Sequence, residues 1–270
     1  MQLKQIKIGN LHTENNVFLA PLAGYTNCVF RQTCFNLGAG LTFTEMVSAK
    51  GLCYNSEKTE ALLRIPGGYG GINACQIFGN DPYYMRKACE SAALAPFDVI
   101  DINMGCPVPK IYKNGEGSAL LADMPLAEKI ILECVKSGKI ITVKFRIGID
   151  GEHIIAEEFA KMCAGAGASL LCVHGRTRDK MYSGEVDFAQ IEKVKKAVDI
   201  PVIANGGVFC KEDADRLIEN TGADGVAVAR GAMYKPWIFA EITGRETGGK
   251  KEIVRRQLQD MRRIYGERFA

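Results

Sequence analysis

Eight short apolar runs recur along the chain, at Val17–Leu22, Leu41–Glu45, Ile72–Ile77, Asp98–Asn103, Ile140–Arg146, Ser169–His174, Val202–Asn205 and Gly225–Ala229. Between them lie longer segments with helical spacing and polar faces, over Asp81–Ala92, Pro125–Ser137, Glu152–Ala166, Asp187–Val198 and Glu212–Asn220. Asn80-Asp81-Pro82 and Asp123-Met124-Pro125 mark helix starts, because an Asp cap and an early Pro both suit the first turn. Strands that alternate with helices pair in parallel, since a parallel neighbour is reached only by a crossover. Eight such units in roughly 235 residues predict a (β/α)8 TIM barrel, whose usual size is about 250. An open doubly wound sheet is the alternative. It is disfavoured because no Gly-x-Gly-x-x-Gly follows the first run. The barrel is assigned to residues 1–240 and a basic helical segment to 241–270.

In a barrel of this kind the chemistry sits where strands end. Seven of the predicted ends carry Ala20-Pro21-Leu22-Ala23-Gly24, Gln76, Asn103-Met104-Gly105-Cys106-Pro107, Lys144-Phe145-Arg146, His174-Gly175-Arg176, Asn205-Gly206-Gly207 and Arg230-Gly231. Alternation within strands sharpens the assignment. Ile141, Val143 and Phe145 share the face that packs on helices, whereas Thr142, Lys144 and Arg146 point into the mouth. Val99, Asp101 and Asn103 likewise face inward, and Ile100 and Ile102 outward. An inward Lys144 calls for an anionic or electron-rich ligand, or else for a structural pair with Asp101.

The last two strand ends suit phosphate. Backbone N–H groups at Gly206 and Gly207, beside the Arg230 guanidinium, are the groups that hold this anion in many barrels. Otherwise the glycine pair is only a tight turn. Cys106 stands beyond a strand end, between Gly105 and Pro107, not within an apolar run. A thiol with a pKa near ~8.5 is mostly protonated at neutral pH and can donate a proton, or attack as thiolate. The competing reading is one more free cysteine.

Composition adds exclusions. With 47% hydrophobic and 24% charged residues and a mean hydropathy of −0.03, the chain is an ordinary globular protein. It has no run of about 18 apolar residues, so no spanning helix is expected, and Met1–Asn10 does not read as a signal peptide. The ten cysteines include no Cys-x-x-Cys pair. No metal site is expected, and a reducing, cytoplasmic location is. The net charge of +3 is too small to argue for nucleic acid, but its distribution is uneven. Residues 241–270 hold eight Lys and Arg against five Asp and Glu, so the rest of the chain is neutral.

The string DINMGCPVPKIYKNGEGSALL, with LAPLAGYTNCVFR before it and VHGRTRDKMYSG and IANGG after it, resembles the tRNA-dihydrouridine synthases. The resemblance runs from about Leu19 to Ile242. It implies a flavoenzyme that takes hydride from NADPH onto FMN and reduces uridine in tRNA to 5,6-dihydrouridine, hydride reaching C6 and Cys106 protonating C5. It also implies FMN contacts at Pro21, Leu22, Ala23, Gln76, Lys144, His174, Asn205, Gly206, Gly207, Ala229 and Arg230. Asn103, Lys110, Arg176 and Arg178 fall on the RNA side. The pattern departs from the family at Gly207 and Leu22, where many members carry Asp and Met; backbone contacts are expected at both. The family also carries a helical RNA-binding domain after the barrel, and by resemblance Lys250–Ala270 is its beginning, interrupted at Tyr265-Gly266-Glu267. The plainer reading is an amphipathic helix with Ile253, Leu258, Met261 and Ile264 on one stripe, docked beside Trp237. An FMN barrel acting on dihydroorotate or an enone is the rival activity, but it leaves Lys110, Lys113, Arg176, Arg178 and Lys180 without a task. A flavin-free RNA-binding barrel is the non-enzymatic rival.

Overall fold

The structure is a computed structural model that describes residues 1–54 and 56–266. Glu267, the last residue of the expected interruption, lies outside the described residues. A hairpin of β1 (Lys7–Ile8) and β2 (Leu11–His12) precedes the barrel. The barrel strands are β3 (Val17–Leu19), β4 (Leu41–Ser48), β5 (Ala74–Phe78), β6 (Val99–Met104), β7 (Ile140–Arg146), β8 (Leu171–His174), β9 (Val202–Asn205) and β10 (Gly225–Val228). They close in chain order, every pair parallel, with β10 against β3. Each predicted run is thus a strand of a (β/α)8 barrel, with ends moved by a few residues. The first stops at Leu19 instead of Leu22, and the second continues past Glu45 to Ser48 with a register irregularity between Phe43 and Met46.

Helices lie between the strands: α1 (Cys28–Asn36), α2 (Ala49–Cys53), α3 (Glu57–Ala61), α4 (Pro82–Cys89), α5 (Pro109–Lys113), α6 (Met124–Val135), α7 (Ala156–Gly165), α8 (Phe188–Ala197) and α9 (Lys211–Thr221). α10 (Arg230–Met233), α11 (Ile238–Thr243) and α12 (Lys250–Tyr265) follow the last strand. Asp81 and Asp123 cap α4 and α6 by accepting the backbone N–H groups of Tyr83 and Leu126.

Strand alternation splits the core into two layers. Ile100, Ile102, Ile141, Val143 and Phe145 pack outward against helices, with Ile131 and Phe159 among their neighbours in that layer. Phe18, Leu41, Val99, Cys172 and Ile203 fill the barrel, joined by Ile6 and Ile8 from the hairpin. The hairpin plugs the end opposite the strand C-termini; a Cβ on Gly9 would lie 2.9 Å from Ile140, the first residue of β7. Side chains close one end, so the polar inward residues at the other end form a pocket, not a pore.

The tail helix docks on the barrel. Tyr265 meets the Cys28 thiol at 3.2 Å, and Arg64 donates to the Ile264 carbonyl at 3.0 Å. Ile253, Met261 and Ile264 are half-buried, but Leu258 is exposed beside Val254, so it does not belong to the docking stripe. The helix does reach Trp237, through Lys250, whose ammonium lies 5.3 Å from the indole centroid. Among the described residues no helix is long and apolar enough to cross a membrane.

Candidate active site

The strand ends enclose a cavity of about 400 Å³. Pro21, Leu22 and Ala23 line it from the loop after β3, and Gln76, Asn103 and Lys144 from β5, β6 and β7. Cys106, His174, Arg176, Asn205, Gly206, Gly207, Ala229 and Arg230 complete the set brought together from the sequence. Two predicted residues stand outside it. Lys110 is exposed on α5, and Arg178 lies over the Tyr112 ring at 4.0 Å. The cavity adds Met46, Arg146, Tyr182 and Phe209, to which the sequence pattern attached no role. Arg146 shares inward parity with Lys144, a signal that was present; Tyr182 and Phe209 come from loops, where no periodicity exists to read.

Three strands, β5, β6 and β7, share one polar floor. The buried Asp101 carboxylate accepts from Thr142 Oγ1 and from Gln76 Nε2, each at 2.7 Å. Gln76 Oε1 in turn accepts from Asn103 Nδ2 at 2.8 Å. Asn103 Oδ1 accepts the backbone N–H of Cys106 at 2.9 Å and that of Gly105 at 3.2 Å. Asp101 is therefore engaged by neutral donors and not by a hydrogen bond or ion pair with Lys144. Burial lifts the Asp101 pKa to about 6 against these two hydrogen bonds and the nearby Lys144 charge.

Above the floor the cavity is cationic. Lys144, Arg146, Arg176 and Arg230 line it, and among the described residues no Asp or Glu does. Burial pulls the Lys144 pKa below its ordinary value and lowers Arg146 to about 10. His174 is buried among these charges. Burial first, then Lys144, Arg146, Arg176 and Arg230, hold its pKa well below the usual histidine range, so it is neutral at pH 7. Arg176 turns inward, its Nη1 3.3 Å from His174 Nε2 and its Nε donating to the Gly184 carbonyl at 3.0 Å. Arg146 ties two loops together, donating to the carbonyls of Gly105, Thr177 and Met181 at 2.8–3.0 Å.

The loops after β9 and β10 interlock. Gly206 and Gly207 have φ of +126° and +72°, which side chains with a Cβ rarely adopt. A Cβ on Gly231 would lie 2.2 Å from the Val208 carbonyl oxygen, so only glycine lets the two loops touch. Arg230 lies beside this junction, over the rings of Tyr182 at 5.1 Å and Phe209 at 5.7 Å. Asn205 braces β9 on β10 by donating to the Ala227 carbonyl at 2.7 Å.

Cys106 is pinned on both sides. Asn103 holds its N–H, and its carbonyl accepts from Ser118 N at 3.1 Å and Ser118 Oγ at 2.8 Å. Burial raises the thiol pKa, while the Val108 N–H, Arg146 and Lys144 moderate the rise. The thiol is protonated at neutral pH. A cavity with four cations, no described carboxylate in its lining and Gly206 and Gly207 on its wall fits a phosphate-bearing ligand. With its polar floor and apolar walls at Pro21 and Leu22, it also fits a planar heterocycle attached to that phosphate.

The chain matches the family model described as dihydrouridine synthase over residues 18–267. It is 36% identical over 273 residues to tRNA-dihydrouridine synthase B of Pasteurella multocida, covering 97% of this chain and 82% of that protein. It is 39% identical over 269 residues to the protein of that name from Pseudomonas putida, covering 99% and 79%. Among solved structures, the old yellow enzyme homologue from Zymomonas mobilis is similar with a TM-score of 0.67 at 14% identity, covering 91% of this chain and 93% of that one. Dihydroorotate dehydrogenase (DHODH) from Eimeria tenella is similar with a TM-score of 0.63 at 13% identity, covering 97% and 85%. These two likenesses concern the fold.

Proposed function

The chain belongs to the dihydrouridine synthase family, and from that premise we propose that it reduces uridine in tRNA to 5,6-dihydrouridine, with FMN as cofactor and NADPH as reductant. The observation that carries the mechanism is a protonated thiol, Cys106, pinned at the lip of a cationic cavity. FMN would be held by the Asn205–Gly207 and Ala229–Gly231 loops and Arg230 at its phosphate, and by Gln76, Lys144 and His174 along its rings. Bound there, it supplies hydride to C6 of the uracil.

The protein's own groups complete the reaction. Cys106 gives its proton to C5. The thiolate left behind is stabilised by the Val108 N–H and the charges of Arg146 and Lys144, the groups that temper its pKa. His174, kept neutral, is a poor acid here and serves binding instead. Lys144 and the arginines favour negative charge on the ligand and on the departing proton's site. The target uridine has to leave its stack to reach the cavity. Lys110 and the basic helix α12, whose Lys250, Lys251, Arg255 and Arg262 line a groove beside Trp237, belong to the RNA-holding side. Ten free thiols suit the cytoplasm.

The test is direct. Purified protein should carry flavin absorbance, oxidise NADPH, and be reoxidised by tRNA that lacks dihydrouridine, with the modified base then found in the RNA. Reoxidation by an enone or by orotate, but not by tRNA, would favour the small-molecule reading; colourless protein would remove the flavin.

A further inference from the structure

Tyr54, Tyr83 and Tyr84 form a cluster on the rim of the barrel, flanked by Lys50 and Lys87. Tyr54 caps the C-terminus of α2, the helix directly after β4, and Tyr83 and Tyr84 lie in the first turn of α4, just after β5. The Tyr54 and Tyr84 hydroxyls are 2.9 Å apart, and the Tyr83 and Tyr84 rings meet edge-on at 5.3 Å. Lys50 Nζ lies 5.4 Å from the Tyr84 centroid and Lys87 Nζ 5.1 Å from that of Tyr83. A cluster that served only to join two loops would bury its rings. Here Tyr54 is 65% and Tyr83 59% exposed, so wide ring surface faces water next to two ammonium groups.

The cluster stands beside the segment that follows Cys106. Asn80, between β5 and α4, donates to the Asn114 carbonyl at 2.7 Å. Lys50 is close enough to Glu116 to depress its carboxyl pKa against the rise that burial causes. The next residue, Gly117, is packed so tightly on Cys106 that a Cβ would lie 3.0 Å from the cysteine Cβ. The segment Asn114–Gly117 thus links the loops that carry the tyrosines to Cys106.

We infer that this patch is a stacking platform for an unpaired nucleotide of the substrate RNA, next to the uridine drawn into the cavity, with Lys50 and Lys87 on its phosphates. A uridine that leaves its stack exposes the faces of its neighbours, and aromatic rings with interleaved cations are the chemistry that covers them. The nearby acids are engaged elsewhere: Asp81 caps α4, and Glu90 and Glu133, which share a groove with Tyr83 and Lys87, pair with Arg86 and Lys136. Glu116 faces Lys50 from the far side. The inference rests on tRNA being the substrate.

The experiment measures tRNA affinity and the KM for tRNA of the full-length, flavin-loaded protein. Tyr54→Ala/Tyr83→Ala should weaken binding by about tenfold or more. It should raise KM while NADPH oxidation without RNA stays at the wild-type rate. Tyr54→Phe/Tyr83→Phe, which keeps both ring faces, should bind as wild type. Lys50→Ala/Lys87→Ala should flatten the log–log salt dependence by roughly 0.7 for each phosphate left without its cation. A folded alanine double variant with unchanged affinity would overturn the platform, and so would a phenylalanine variant as weak as the alanine one. Wild-type protein with no measurable tRNA affinity would overturn the substrate reading and the patch together. Weak affinity confined to the ring-deleted variants would leave both standing.

Discussion

Asp101 and Cys106 are joined across the cavity floor by two amide side chains, Gln76 and Asn103. An ionised carboxylate only accepts hydrogen bonds, so Asp101 compels Gln76 to present its NH₂ downward and its carbonyl to Asn103. Asn103 then presents its NH₂ to Gln76 and its carbonyl to the backbone N–H of Cys106. The orientation of each amide is set by the acceptor beneath it.

Asp101→Asn should therefore disturb catalysis at a distance. The amide NH₂ has two partners to choose between, the Thr142 hydroxyl, which can accept it, and Gln76. Facing Gln76 it turns that side chain over, and the reversal passes through Asn103 to leave the Cys106 N–H without its acceptor. The expected result is dihydrouridine formation slowed on the order of 10²-fold with flavin content retained, as a displaced reacting group produces. Flavin absorbance and turnover on one preparation check this.

The same residue leaves a mark on stability. Its folded pKa, about 6, lies above the unfolded value. The stability it contributes is full below pH ~4 and is lost as pH rises through about 6. His174, depressed, acts in the opposite sense: its contribution holds above pH ~6.5 and falls away in acid. Asp101→Asn should thus gain on the wild type by about 3 kcal/mol between acid and neutral pH. Thermal melts of the flavin-free proteins across that range read the difference.

Cys106→Ala should keep flavin and NADPH oxidation but lose about 10²- to 10⁴-fold in uridine reduction, the usual worth of a general acid. Because burial raises the thiol pKa, wild-type turnover should stay level through neutrality and fall only on the alkaline side. Rapid uridine reduction by the alanine variant would remove Cys106 from the reaction.

Lys144 is not paired with Asp101, so Lys144→Ala should reduce flavin stoichiometry without lowering the Tm of the flavin-free protein. Arg230→Ala should behave likewise. A Tm drop of several degrees with full flavin content would assign Lys144 a structural task instead.

Gly231→Ala should lower both stability and flavin affinity. The added Cβ meets the Val208 carbonyl at 2.2 Å, and neither loop can yield without opening the other. A cost of about 1–3 kcal/mol is expected for such overpacking, measured by denaturant titration beside flavin retention.

Alternation alone placed Thr142, Lys144 and Arg146 inside the barrel and Ile141, Val143 and Phe145 beneath its helices, because a strand's side-chain period is two whatever surrounds it. The placement of the strand-end residues around the cavity, from Gln76 to Arg230, was legible for the same reason: each signal is local to one run. What joins one run to another was not. That Asp101 takes Thr142 and Gln76 instead of Lys144 depends on the register between β5, β6 and β7, which pairs Asp101 with both residues and Lys144 with Asn103. Arg176 turning in to His174, and Arg178 lying over Tyr112, follow from loop paths that have no period. The two-residue strands of the plug were too short to show one. Leu258 had the spacing of a buried residue, but which side of α12 meets the barrel was decided by Tyr265 and Cys28, far apart in the chain and adjacent only once it folds.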